Sequence, residues 1–476
     1  LDQEKDVPLC VDLDGTLIRS DALIESVLLL IKTQPWAIFF IPFWLLRGRA
    51  VFKGEVAKRV TLNANTLPYQ TDLFNFLKQQ HAAGRILVLA TASHTKIAHH
   101  ISDHLGIFTQ VLATADVNLS GRAKRDRLVE RFGRNGFDYA GNSRADLHVW
   151  EVARETIVVN AGTGLLGQAS AKYNVSHVFA DKGPRISTYA KALRTHQWIK
   201  NILVFVPMLG SHQLTNPYVW AASLVAFACF CLCASSVYLL NDLLDLPSDR
   251  EHPRKRRRPF AAGDLPLTHG LVLIPILLIA AFGIAALFLP TLFLAALAIY
   301  YFVTLGYSLG LKAIVLLDAL MLSGLYTMRI IGGIAATRIP PTFWLLVFSI
   351  FLFFSLALVK RYSELLTLKQ RGQLTAHGRG YQVDDLVVLL AFGITSGFLA
   401  VLVSAFYINS PNIESLYRYP ELLWPIGPLL LYWVSRIWLI AHRGGMHDDP
   451  IVFAATDRGS WIIALIIGGL AWLAAK

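Results

Sequence analysis

Cysteine is nearly absent from this chain, with four in 476 residues. Cys10 lies in a strand-like apolar run, and Cys229, Cys231 and Cys233 alternate by two inside one apolar segment. On a helix that spacing scatters the thiols instead of gathering them. A disulfide framework and a thiolate metal centre are both excluded, and the four read as small apolar residues. Charge is also thin, at 16% of residues against about 25% in an average soluble domain. Acids are the scarcer sign, 32 against 44 Lys and Arg, for a net charge of +12. In a soluble protein that excess would suggest a nucleic-acid partner. Here 54% of residues are apolar and the basic ones sit in short loops between apolar runs, so the expected partner is a bilayer and not nucleic acid. The opening DQEKDVPLCVDLDGTL reads as a charged lead into a soluble domain, without the apolar core of a secretory signal.

The chain divides into two textures. Residues 1–182 read as a soluble α/β domain: VPLCVDLDGTL, GRILVLATAS and ETIVVNAG are short apolar runs typical of buried parallel strands, separated by helical patterns such as 71–81. Residues 36–46 are very apolar but far short of the roughly 20 residues a spanning helix needs. They are expected in a small helical cap that packs on the core or dips into the membrane surface. Residues 183–200 form a basic interfacial linker helix. Residues 201–476 form an all-α polytopic domain, with apolar segments near 200–211, 218–240, 268–289, 291–307, 313–336, 342–359, 386–407, 420–441 and 459–475. This count predicts nine transmembrane helices. Arg250 to Arg258, Lys312, Lys360 to Arg379 and Arg443 to Arg458 fall in loops of one side, and only Arg338 and Arg418 in loops of the other. By the positive-inside rule the soluble domain and the basic loops are cytoplasmic, in a multi-pass inner-membrane protein.

Asp12-Leu-Asp14-Gly15-Thr16 ends the first apolar strand. Asp12 suits a nucleophile toward phosphorus, and Asp14, two residues on and on the same side, suits a general acid and base. Thr91 ends a second strand, Lys124 follows in GRAKRD, and GNSRAD (Gly141 to Asp146) ends a third. This order resembles the haloacid-dehalogenase-like phosphatases, a Rossmann-like fold. The resemblance implies an aspartyl-phosphate at Asp12, with Thr91 and Lys124 holding the phosphoryl group. It also implies Mg²⁺ held by Asp12, Asp14 through its carbonyl, and the last motif. That motif carries Asn142 where the family usually has an acid, so either the Asn142 amide or Asp146 would serve there.

The most informative run is NDLLDLPSDREHPRKRRRPFAAG, Asn241 to Gly263, at the end of a long apolar segment. Its carboxylates, Asp242, Asp245 and Asp249, recur at spacings that share one side of a continuing helix. Such hard oxygens suit Mg²⁺ together with substrate phosphates, and the cations that follow suit the phosphates. The run resembles the first aspartate motif of the UbiA superfamily of intramembrane prenyltransferases, which implies nine helices around a cavity open to lipid. Where ordinary members carry a second aspartate motif, this chain has KRYSELLTLKQRGQLTAHGRGYQVDD, with Lys360, Arg361, Lys369, Arg371 and Arg379. That departure, with RTHQWIKNILVFVP, YSLGLK, YTMRIIGG and LVKRYSEL, resembles the polyprenyl-phosphate phosphoribosyltransferase branch. Carried over, the resemblance implies that Asn241, Asp242, Asp245 and Asp249 hold Mg²⁺ and the ribosyl diphosphate. Lys200, Lys255, Arg256, Arg258, Tyr307, Lys312, Lys360 and Arg361 would contact the substrates. Arg329 lies seventeen residues past Lys312, roughly 25 Å along a helix; that depth leaves a substrate contact or snorkelling outward as its two readings. Asp318 would line the cavity or pair with a neighbour. The loop holding Asp448, Asp449, Asp457 and Arg458 is a candidate lid.

The expected function is transfer of 5-phosphoribose from phosphoribosyl pyrophosphate to a polyprenyl phosphate, with the soluble domain removing the 5-phosphate. Two alternatives stand. One is a prenyltransferase moving an allylic group to an aromatic or other small acceptor beside a regulatory or separate phosphatase. The other is a lipid-binding protein without catalysis. A homo-oligomer is compatible with all three.

Overall fold

The computed structural model describes residues 7–181, 183–372, 380–446 and 449–475. Packing divides the chain into two compact units, Leu1–Leu193 with Leu239–Leu273, and Arg194–Tyr238 with Ile274–Lys476. The division therefore differs from a simple cut near residue 200: the Asn241 to Gly263 run belongs to the first unit.

The first unit is built on a parallel sheet of β1 (Leu9–Val11), β2 (Leu87–His94), β3 (Gln110–Thr114), β4 (Asp138–Gly141), β5 (Thr156–Val159) and β6 (Val175–Phe179). Its order is β3-β2-β1-β4-β5-β6, and every pairing is parallel. Both faces are covered, which is why the strands read as unbroken apolar runs. Leu9, Val11, Leu87 and Leu89 join one core cluster, while Cys10, Val88 and Ala90 join the other. The order reverses at β1, with β2 to one side and β4 to the other. Loops leaving the carboxyl ends of these three strands therefore diverge around a crevice, the usual place for a site in an open α/β sheet. This parallel sheet order is that of a Rossmann-like α/β domain, the fold class expected for residues 1–182.

Between β1 and β2 a helical cap is inserted: α1 (Ala22–Thr33), a 3₁₀ turn (Pro35–Phe39), α2 (Ile41–Leu46) and α3 (Arg49–Arg59). Leu30, Ala37, Trp44, Phe52, Val56 and Val60 form its small core. Residues 36–46 are thus short helical pieces, as their length required. The second helix needed below, α4 (Arg122–Phe132), lies between β3 and β4.

The second unit is helical. Eight helical spans of the described residues are long and apolar enough to cross a membrane: α5 (Pro217–Leu244), α6 (Leu267–Phe288), α7 (Thr291–Leu309), α8 (Leu317–Thr337), α9 (Phe343–Gln370), α10 (Leu386–Ile408, with the turn from Val383), α11 (Ile426–His442, with the turn from Pro420) and, after the short α12 (Pro450–Thr456), α13 (Arg458–Ala475). This is a multi-pass membrane protein. The ninth expected span, near 200–211, is instead a 3₁₀ stretch, Thr195–Phe205, and a five-residue helix, Val206–Gly210. Neither piece is a single helix of spanning length. Inside this unit Gly333 of α8 lies against the carbonyl of Val204, where an added Cβ would sit 2.1 Å from the oxygen. The 3₁₀ stretch is therefore packed backbone to backbone on α8.

Candidate functional sites

In the first unit Asp12 leaves β1 and donates its amide to Ala140 of β4, which aims its side chain into the crevice. Lys124 of α4 is buried and donates to Asp12 Oδ1 at 2.8 Å and to the Tyr139 hydroxyl at 2.8 Å. Burial pulls the Lys124 ammonium down, but Asp12 and Asp146 outweigh it and hold the group above its ordinary value. Burial raises Asp12 to about 6 despite Lys124. It raises Asp14 to about 7, helped by the charges of Asp21 and Asp12. Asp14 is oriented by two donors, the Ala22 amide at 2.7 Å and Ser93 Oγ at 2.7 Å. Thr91 is fully buried inside β2, which runs three residues past it to His94, and its Oγ1 accepts from the Ser93 amide at 3.0 Å. The structure thus brings Asp12, Asp14, Thr91 and Lys124 to one crevice, with two residues the sequence did not single out. Ser93 is one. The other is Lys53 of the cap helix α3, which donates to Ala92 O at 2.6 Å and Asn118 Oδ1 at 2.7 Å. A small hydroxyl and a basic helix residue carry no motif, so only the fold reveals them.

The last motif sorts into two roles. Asn142 lies directly over the Asp12–Gly15 turn: a Cβ on Gly15, whose φ is +74°, would sit 2.0 Å from the Asn142 amide. A Cβ there would displace the Asn142 side-chain amide and strain the left-handed backbone. Asp146, expected as a possible metal ligand, is committed elsewhere. Its Oδ2 accepts from the Asn142 amide, the Ser143 amide and Ser143 Oγ, and its Oδ1 from Tyr139. It shapes the loop that carries Asn142. The oxygen donors at hand, the Asp12 carboxylate, the Asp14 carbonyl and the Asn142 amide, are hard and fit Mg²⁺, with one negative charge fewer than an acid at 142 would give.

The acidic run forms a second constellation in the same unit. Asp242 and Asp249 are buried and share Arg258, whose Nη1 lies 3.1 Å from Asp242 Oδ1 and 2.6 Å from Asp249 Oδ2. Burial raises the Asp249 carboxyl and Arg258 counters it. Asp245 instead meets Lys32 of the cap at 2.8 Å. Arg250 is clamped by Glu25 of α1, 2.6 and 2.7 Å, with both side chains almost fully buried. Lys255 and Arg256 stand exposed on a 3₁₀ turn. Asn241 is half-buried, and its carbonyl accepts the Asp245 amide. Among the described residues no three His, Cys, Asp or Glu side chains form a ready metal cage. The acids here are held by cations.

The second unit carries the remaining cations. Lys200 Nζ and Lys360 Nζ converge on one oxygen of Asp449, at 2.7 and 3.0 Å. Burial pushes the Asp449 carboxyl up, and the two lysines pull it well below the usual carboxylate range. Tyr326, Lys360 and Asp449 line a small cavity with Leu322, Leu356, Ala357, Pro450 and Ile451. The expected lid residue Asp449 thus reaches the cations, capping α12 as it does so. Asp457 pairs with Arg436. Asp448 and Arg379 lie outside the described residues.

Arg361 has partners of its own within the helical unit. It is buried, and its arms go to Asp318, to Glu364 at 2.8 Å and to the Tyr307 hydroxyl at 3.1 Å. These contacts brace the helices around Arg361 and Tyr307, and Asp318 takes its pairing reading, shared with Tyr381 at 2.5 Å. Arg329 does not snorkel. It is buried, donating to Asn201, Leu325 O and Tyr300. Lys312, half-buried on a 3₁₀ turn, stays an expected phosphate contact.

Residues 202–365 match the UbiA prenyltransferase family. An uncharacterized protein, y4nM, of Sinorhizobium fredii is 34% identical over 98% of this chain and 90% of its own length. The nodulation protein NoeC of Azorhizobium caulinodans is 35% identical over 58% of this chain and 90% of that protein. Decaprenyl-phosphate phosphoribosyltransferase of Mycolicibacterium smegmatis is 38% identical over 60% of this chain and 91% of that enzyme.

Proposed function

Since the chain belongs to the UbiA prenyltransferase family and is a membrane transferase with a haloacid-dehalogenase-like domain ahead of it, we propose that it is bifunctional. The membrane half transfers 5-phosphoribose from phosphoribosyl pyrophosphate to a polyprenyl phosphate. A phosphate oxygen of the lipid attacks the anomeric carbon, and pyrophosphate departs. The acceptor is already anionic, so no strong base is needed; the requirement is to hold two anions together. The observation that carries the reading is the convergence of Lys200 and Lys360 on a single carboxylate beside a partly apolar cavity. Two ammonium groups that hold one buried anion suit a lipid phosphate in its place. Asp242, Asp245, Asp249 and Asn241 would hold Mg²⁺ with the ribosyl diphosphate, and the metal would supply charge neutralisation of the leaving group. Lys255, Arg256, Arg258 and Lys312 would meet phosphates.

In the soluble half the Asp12 carboxylate attacks the 5-phosphate while Asp14 protonates the departing ribose oxygen. Asp14 then takes a proton from the water that cleaves the aspartyl-phosphate. Lys124 and Thr91 hold the phosphoryl oxygens. The pair of activities yields a polyprenyl-phosphoryl pentose, with both sites on the cytoplasmic side of the inner membrane.

Two experiments test this. Product analysis with phosphoribosyl pyrophosphate against an allylic diphosphate separates the phosphoribosyl reading from a prenyl transfer to a small acceptor, the activity that the family's name favours. An Asp12→Asn chain given both substrates should accumulate the 5-phosphorylated lipid. Loss of the 5-phosphate at the wild-type rate would assign the domain another substrate.

A further inference from the structure

The cap presents a surface that a water-soluble phosphatase would not carry. Residues 35–46, PWAIFFIPFWLL, contain no charged side chain. Ala37, Trp44 and Ile41 turn inward onto Leu30, Phe52 and Val56. The outward positions are apolar too: Phe39 is 82% exposed and Leu46 87%, and Trp36, Ile38, Phe40, Phe43 and Leu45 are about half exposed. An apolar patch of this extent marks an interaction surface.

Two further observations name its occupant. Directly behind the patch the chain is basic, with Arg47, Arg49, Lys53, Lys58 and Arg59 against the single acid Glu55, and Arg47 stacks on Phe43 at 4.5 Å. Aromatic residues rimmed by cations suit the headgroup layer of an anionic bilayer. Lys32, three residues before Pro35, is also ion-paired to Asp245. Asp245 directly follows Leu244, where the membrane-spanning helix α5 ends. The root of the apolar segment is therefore fastened to the chain where it leaves the bilayer. The cap is equally tied to the catalytic core, through the Ala22 amide on Asp14 and through Lys53 and Lys96, which reach from cap to core and from core to cap.

We propose that the apolar face of residues 35–46 rests in the headgroup layer of the membrane, so that the Asp12 site takes phosphate monoesters carried on lipids. The second clause rests on the phosphatase reading above; the first does not. The test uses the full chain in phosphatidylcholine–phosphatidylglycerol vesicles whose acyl chains are brominated. A fluorophore on Phe39→Cys should be quenched by the lipid, and one on Val117→Cys, an exposed position of the same unit, should not; the native thiols are buried. Equal signals at the two positions would overturn the anchor, as would self-quenching at 39 that grows with protein density, the sign of a second copy on this face. A Phe39→Asp/Leu46→Asp chain should then hydrolyse p-nitrophenyl phosphate normally but release phosphate from lipid-linked ribose 5-phosphate about tenfold more slowly, through lost orientation. Equal loss on both substrates, or on neither, would overturn the lipid-substrate clause. Quenching at 39 with no Asp12-dependent hydrolysis of either substrate would remove the phosphatase reading and leave the anchor standing.

Discussion

Glu25→Gln should be among the most damaging single changes in the first unit. The Glu25 carboxylate accepts both arms of Arg250, at 2.6 and 2.7 Å, and the two side chains are only 4% and 5% exposed. Arg250 also donates to the Ala261 carbonyl at 3.1 Å, so the guanidinium cannot swing out to water without giving up that bond. An amide in place of the carboxylate keeps the shape but leaves a buried positive charge without its counter-ion, a loss of about 3–5 kcal/mol. For a unit of roughly 200 residues each kcal/mol moves the melting temperature by about 2–4 °C, so the first transition should fall by roughly 6–20 °C. The assay is thermal unfolding of the full chain in detergent, followed by loss of phosphatase activity and by intrinsic fluorescence. Replacing both partners with apolar residues of similar size, Glu25→Leu with Arg250→Met, should recover most of the loss, since no charge is then stranded. Arg250 adjoins Asp249, so the single variant should also weaken the transferase. The reasoning is refuted if Glu25→Gln melts within about 2 °C of wild type, or if the double variant is no better than the single one.

Gly15→Ala should abolish phosphatase activity and spare the transferase, because φ of +74° and the Asn142 amide leave no room for a methyl group; parallel assays of the two reactions check this. Asn142→Asp adds a charged oxygen ligand and should lower the Mg²⁺ concentration for half-maximal phosphatase activity by about tenfold or more, read from a metal titration. Lys200→Met should raise KM for the polyprenyl phosphate more than Lys360→Met does, by about tenfold at least, since Lys200 is the more deeply buried of the two. An unchanged KM in both variants would argue against an anion socket at these lysines.

The parts of the sites that the sequence made legible are those where local geometry dictates chemistry. Asp12 and Asp14 follow a buried strand, so their spacing alone sets them on one side of a crevice. Lys124 and the Asn142 loop were legible only through the motif order that resembles the haloacid-dehalogenase-like phosphatases. Asp146 was harder, because a carboxylate that ligates a metal and one that caps a loop look alike until its donors are seen. Arg361 shows the same limit. Its partners Asp318, Glu364 and Tyr307 come from three different stretches of chain, and nothing in apolar periodicity says that a basic residue at a helix end will turn inward. The span near 200–211 failed for a physical reason of another kind. Hydropathy reports what a segment tolerates and not which helix it forms, and this one changes from a 3₁₀ stretch to a short helix at Val206. Cap residues such as Lys53 and Lys32 carry no pattern at all, since their partners lie across the fold.

The boundary of the first unit bears on how the protein is made. Ribosomal synthesis delivers the sheet and cap long before residues 239–273, yet those residues complete the same compact body. Until Arg250 has emerged, Glu25 lacks its counter-charge, and Lys32 waits for Asp245. The Glu25–Arg250 and Lys32–Asp245 contacts therefore form only after residues 217–244 have been synthesised. Excising the amino-terminal half at residue 182 leaves Glu25 without Arg250 and Lys32 without Asp245.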